Sequence, residues 1–247
     1  HMRQICLDTE TTGVEPNKGD RIVEIGCVEI VGRTLSDEPK HHYHVYLNPE
    51  RDVPEEVVKV HGLTTEFLSD KPLFADVVED FLNFIKGAEL LIHNAPFDVG
   101  FLNMELKRLK LGRLEDYCPQ ITDTFEVARA MFPGLRNSLD ALCSRFEIDR
   151  SERVLHGALL DARLLAEVYL DMTRKQGSLL GDSYDLGEEF DKMPAPGDFI
   201  KAVAPADELA VHQKFLEMMA KKSKNGVLWT KALEPAAAEP ADGNSGN

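Results

Sequence analysis

An α/β fold, with a sheet flanked by helices and a flexible C-terminal tail, is what this sequence predicts, on three observations. The chain opens with runs of period two, Cys6 to Gly13 and the β-branched Arg21 to Val31, which suit strands. It goes on to apolar stripes of helical period, the fullest being Phe74, Val77, Val78, Phe81, Leu82 and Ile85. Between the helical stretches the short apolar run Leu90 to His93 and the short stretch Gln120 to Thr124 add strands, so the two element types alternate along the chain. A length of 247 residues with 43% hydrophobic content fits one such domain plus an appendage.

In order, the first strand stops at Gly13, and a polar loop from Val14 to Asp20 leads to the long second strand. His44 to Leu47 reads as a third, closed by Asn48-Pro49, so the sheet begins as an antiparallel meander. A short helix follows over Val53 to Gly62 and ends in His61-Gly62, where a lone histidine before a turn glycine reads as a surface residue. Pro72 precedes the next helix and Gly87 stops it. After the strand at Leu90, Asn94-Ala95-Pro96 opens a helix that buries Phe101, Leu102, Leu106 and Leu109. The strand at Gln120 leads into a helix through Ala130, and Asn137 with Asp140 has the spacing of a capping box for the helix through Leu142 and Phe146. The last core helix, Gly157 to Met172, buries Ala158, Ala162, Leu165, Ala166 and Tyr169.

Beyond residue 174 the composition turns to Gly, Asp, Pro and Ser. Residues 3–174 therefore read as the domain, 175–206 as a flexible linker, 207–232 as a segment with one short helix, and 233–247 as a disordered tail.

Four acids occupy positions where an acid needs a reason. Asp8 and Glu10 share one face of the first strand, because side chains repeat every second residue. They repel, and no Lys or Arg lies nearby at matching spacing, so a hard divalent cation is the natural counter-charge. Asp98 and Asp161 each fall on the inward side of a helix, where an unpaired carboxylate costs several kcal/mol. Taken singly, solvated edge acids or a helix dipole explain them. Together they suggest a two-metal site, with ions about 3.5–4 Å apart clamping a phosphodiester. His156 lies five residues before Asp161, off its helical face, so it belongs at or before the helix start, with Gly157 allowing the turn. From there an imidazole, with an ordinary pKa near ~6.5, can accept a proton near neutral pH.

A formal net charge of −15 argues against a broad basic nucleic-acid surface, so any nucleic acid is gripped locally or delivered by a partner. Cys6, Cys27, Cys118 and Cys143 show no C-x-x-C spacing, and three of them sit in apolar runs as small hydrophobes, which suits a reducing, cytoplasmic setting. No signal peptide or membrane span is legible, and His1 before Met2 reads as a vector remnant.

The motifs Asp8-Thr9-Glu10-Thr11-Thr12-Gly13, His93-Asn94-Ala95-Pro96-Phe97-Asp98 and His156-Gly157-Ala158-Leu159-Leu160-Asp161-Ala162 resemble the three exonuclease motifs of the DEDDh 3′→5′ exonucleases. Asn137 to Cys143 and Leu155 to Tyr169 resemble, more closely, the epsilon proofreading subunits of bacterial DNA polymerase III. The resemblance implies an RNase H-like fold with a mixed five-stranded sheet, and removal of mismatched 3′ nucleotides from DNA as nucleoside 5′-monophosphates. By the same resemblance Asp8, Glu10 and Asp161 hold one Mg²⁺ or Mn²⁺, Asp8 bridges to a second, Asp98 acts mainly through water, and His156 is the general base. The backbone around Thr9 and Thr11 meets the terminal nucleotide, with Glu56 and His61 near its 3′ end and Phe97 against its sugar or base.

The tail resembles partner-binding segments. Gln176-Gly177-Ser178-Leu179-Leu180 is similar to a sliding-clamp motif, with Leu180 where an aromatic is common. Gly226-Val227-Leu228-Trp229 is similar to the segment that anchors epsilon to the polymerase alpha subunit, and a lone Trp in a polar tail suits an interface anchor. A small third core subunit is a further partner of such domains, with no residues here that mark its site. The competing readings are an RNA 3′ exonuclease of the same superfamily and a non-catalytic bridge between polymerase and clamp. The long tail disfavours the first, and all five catalytic positions disfavour the second.

Overall fold

The computed structural model describes residues 2–181. Its strands are β1 (Gln4–Thr11), β2 (Ile22–Val31), β3 (Thr34–Leu35), β4 (His42–Tyr46), β5 (Glu89–Ile92) and β6 (Gln120–Asp123). Its helices are α1 (Glu55–His61), α2 (Thr65–Leu68), α3 (Phe74–Ile85), α4 (Ala95–Arg108), α5 (Thr124–Met131), α6 (Leu139–Arg145) and α7 (Ala158–Gly181).

The strands form one mixed sheet in the order β3-β2-β1-β5-β6, with β4 also on β2. β1, β2 and β4 make the expected antiparallel meander, whereas β5 and β6 run parallel to β1. Six strands replace the expected five because the two-residue β3 shares β2 with β4, too short for any sequence period to announce.

Alternation along β1 splits the core. Ile5 and Leu7 pack with Phe81 of α3 and Phe101 and Leu102 of α4 on one face of the sheet. Cys6 packs with Ala162, Leu165 and Ala166 of α7 on the other. Behind α7, Leu164, Val168 and Met172 close against α5 and α6. The stripes read from the sequence face the core along α3, α4 and α7, with Val77, Tyr169 and Leu109, the residue after α4, only partly buried. All four cysteines are buried and free, including the one outside an apolar run.

Three local expectations need correction. Ser138, not Asn137, caps α6, its side chain accepting from Ala141 N, while Asn137 turns inward to the carbonyls of Phe132 and Leu135. Gly157 is not in the left-handed region; it precedes α7 as the residue whose carbonyl accepts from Asp161 N at 2.8 Å. α7 runs to Gly181, so residues 176–180 carry helical backbone where a linker was expected. Leu228, Trp229 and the segments read over 182–247 lie outside the described residues. Among the described residues no helix is long and apolar enough to cross a membrane.

Candidate active site

The acids converge where β1 outruns its parallel neighbour. β1 pairs with β5 only from Gln4 to Cys6, so Asp8 and Glu10 project beyond that pairing, toward the crevice at the carboxyl ends of strands where open α/β sheets bind ligands. A register shift between Glu10 and Thr11 bends the strand there, as bulges near sites do. The two acids continue the Cys6 face toward α7, whose buried Asp161 stands beside Ala162. The first turn of α4 delivers Asp98, and its Oδ1 accepts from Thr9 N at 3.0 Å and Thr9 Oγ1 at 2.6 Å.

Crowding shifts the acids. Asp8 is raised well above the usual carboxylate range by burial first and then by Glu10, Asp98, Asp161 and Glu24. Burial likewise raises Glu10, with Asp161, Glu24 and Asp98 adding to it and Arg153 opposing. Asp98 is pushed up to about 7 by burial, against the hydrogen bonds from Thr9.

His156 closes the arrangement from the loop before α7. Its backbone N donates to Val60 O at 3.0 Å, and its exposed ring sets Nδ1 3.4 Å from Asp161 Oδ2. One ligand atom each from Glu10, His156 and Asp161 all lie within 4.8 Å of one another. Asp161 Oδ1 is buried and lacks an aligned hydrogen bond, an under-satisfied oxygen in a set of carboxylate and imidazole donors. That donor set fits a hard divalent cation.

The expected substrate contacts are partly engaged within the protein. His61 is buried, not on the surface; its Nδ1 accepts from Leu63 N at 3.0 Å, so Nε2 carries the hydrogen donated to Thr11 O at 3.1 Å. It thus braces the end of β1. Thr9 N is held by Asp98. Glu56 stands partly buried in the first turn of α1, and the partly buried Phe97 ring lies 5.1 Å from that of Phe101.

The exonuclease family model matches residues 5–169. The chain is 48% identical over 242 residues to DNA polymerase III subunit epsilon of Pasteurella multocida, covering 94% of each chain. To the Haemophilus influenzae subunit of that name it is 47% identical over 247 residues, covering 93% of this chain and 95% of the relative. The chain belongs to the DNA polymerase III epsilon family of exonucleases. As such it is a metal-dependent 3′→5′ exonuclease. Among solved structures, the nuclease domain of 3′hExo, a DEDDh family member bound to rAMP, shares the fold at a TM-score of 0.60 and 18% identity, over 71% of this chain and 93% of that one.

In this epsilon-family exonuclease, further side chains build the site. Glu24 is buried opposite Glu10 across the strand pair, and its Oε1 accepts from Ala158 N at 2.7 Å while Oε2 meets His44 Nε2 at 2.8 Å. It therefore anchors the first residue of α7, and an acid amid Ile22, Val23, Ile25 and Cys27 was its signal. Asp123 Oδ1 accepts from Asn94 N at 3.0 Å and so fixes the turn into α4. Arg153, far along the chain from Asp8 and Glu10, brings a cation to the site: its Nε is 2.6 Å from Asp161 Oδ1. No spacing marks it, because a loop residue carries no period.

Proposed function

We propose that the chain excises nucleotides from single-stranded or frayed 3′ ends of DNA during replication, as the proofreading subunit of a DNA polymerase III assembly. Phosphodiester hydrolysis would use two Mg²⁺ or Mn²⁺ ions and release nucleoside 5′-monophosphates. The observation that carries this reading is the meeting of Asp8, Glu10 and Asp161 beside His156, with Asp98 tied to Thr9 on the same strand. The names of the relatives support its place in replication.

Asp8, Glu10 and Asp161 would hold the ions, with Asp98 supporting them mainly through water. The bound ions supply the positive charge that stabilises the phosphoryl transition state. His156 takes a proton from the attacking water, and its exposed ring suits exchange with solvent. Thr9 and Thr11, braced by Asp98 and His61, would shape the floor under the terminal nucleotide, with Glu56 near its 3′ end and Phe97 against its sugar or base. The alpha subunit would be held by Leu228 and Trp229, a sliding clamp by Gln176, Leu179 and Leu180, and a small third subunit by the catalytic domain.

The test is a 5′-labelled primer on a template, with its 3′ end either paired or mispaired, digested with Mg²⁺ by the full chain and by Asp161→Asn. Faster shortening of the mispaired primer, absent in the variant, is expected. Equal rates on both ends would count against proofreading.

A further inference from the structure

Arg153 comes from the loop between α6 and α7, and its side chain is only 9% exposed. Its guanidinium reaches two groups of the site and one outside it. Nε lies 2.6 Å from Asp161 Oδ1, and Nη2 donates to Asp161 Oδ2 at 3.2 Å. Nη2 also lies 2.6 Å from His156 Nδ1. Nη1 pairs with Asp140 of α6, which also receives Arg150 Nη1 at 3.2 Å.

A guanidinium donates and never accepts. Its bond to His156 therefore occupies the Nδ1 lone pair and leaves the ring hydrogen on Nε2. Both oxygens of Asp161 are covered by the same cation. Yet the contact is imperfect, because Nε and Oδ1 sit close without the alignment a hydrogen bond needs, and both count as unpartnered buried atoms. The two side chains assigned above to holding metal and moving a proton are thus held together by one monovalent charge, in a geometry short of a full fork.

We propose that Arg153 is an internal counter-ion of the metal centre, bracing Asp161 and His156 until a divalent cation takes Asp161, and then drawing back onto Asp140. The inference rests on the metal-site reading above. A divalent charge among buried carboxylates outcompetes a monovalent one at the same oxygen, and the guanidinium already pairs with Asp140 through Nη1, so leaving Asp161 does not strand it without a counter-charge. Asp140, with its side chain about half exposed, offers it a resting partner outside the cluster. Release uncovers the Nδ1 lone pair of His156, so filling the site and freeing its base become one event.

The test uses the full chain with ¹⁵N-labelled arginine, stripped of metal and titrated with Mg²⁺, the Arg153 Nε–H signal being assigned by its loss in Arg153→Lys. We expect a slowly exchanging signal that moves or exchanges away in step with Mg²⁺ binding. In parallel, calorimetry with Mn²⁺ is expected to show Arg153→Met binding metal roughly tenfold tighter than the unaltered chain, a competitor having been removed. An Arg153 signal unmoved at saturating Mg²⁺, or a variant that binds Mn²⁺ no tighter, overturns the proposal while leaving the metal site standing. Failure of the unaltered chain to bind either ion removes the metal site, and the proposal with it.

Discussion

Burial raises Asp98 to about 7 and shifts Asp8 and Glu10 the same way, so folding makes each hold its proton more tightly. For a group raised by folding, the stabilising contribution is complete below its unfolded value, 3.8 for Asp98, and is lost as pH climbs through its folded one. The metal-free protein should therefore lose thermal stability as pH rises from about 4 to about 7. Metal binding should offset that loss, so the rise in melting temperature on adding Mn²⁺ should grow over the same interval. Burial lowers His61 and His93 and bends the curve the other way on the acid side, equally with and without metal. Scanning calorimetry in chelator and in Mn²⁺ separates the two, and an increment independent of pH would contradict the shared-acid site. His156→Ala should cut turnover by about 10²-fold while metal still binds, whereas near-normal turnover would take His156 out of the mechanism. The four acids were legible because each interrupts an apolar period. Arg153 was not, since its position depends on how the α6–α7 loop closes, and His61 was misread because local sequence does not show that β1 ends above it.

At the scale of elements, β2 and the start of α7 touch so closely that their spacing sets the site. A Cβ on Gly26 would fall 2.3 Å from Leu159 N and 2.4 Å from the Ala158 carbonyl carbon, both backbone atoms that cannot swing aside. Gly26→Ala should cost about 1–3 kcal/mol or more and push Asp161 away from Glu10. Denaturant unfolding and metal titration together check this, and a variant with normal stability and metal affinity would show that α7 has slack. Glu24→Ala removes the acceptor of Ala158 N and should cost about 1–3 kcal/mol, again by denaturant unfolding, with weaker metal binding. A stability change without weaker metal binding would confine Glu24 to the scaffold. The helices were legible from their stripes, whereas β3 is two residues long and the Ser138 cap competes with an equally plausible neighbour at Asn137.

For the whole molecule, a net charge of −15 and a site built of acids leave little to grip a polyanion without metal or partners. The isolated chain should bind duplex DNA weakly; tight, salt-resistant binding in fluorescence anisotropy would contradict local recognition. The fold class and the converging motifs were legible because they recur as period and spacing within the chain itself. The most direct measurement is digestion of matched 5′-labelled single-stranded DNA and RNA oligomers, with Mg²⁺ or Mn²⁺, by the full chain and by Asp8→Ala. A ladder growing from the 3′ end, faster on DNA, dependent on metal and absent in the variant is the expected result. Faster digestion of RNA, or a ladder that survives Asp8→Ala, would contradict a metal-centred DNA proofreader.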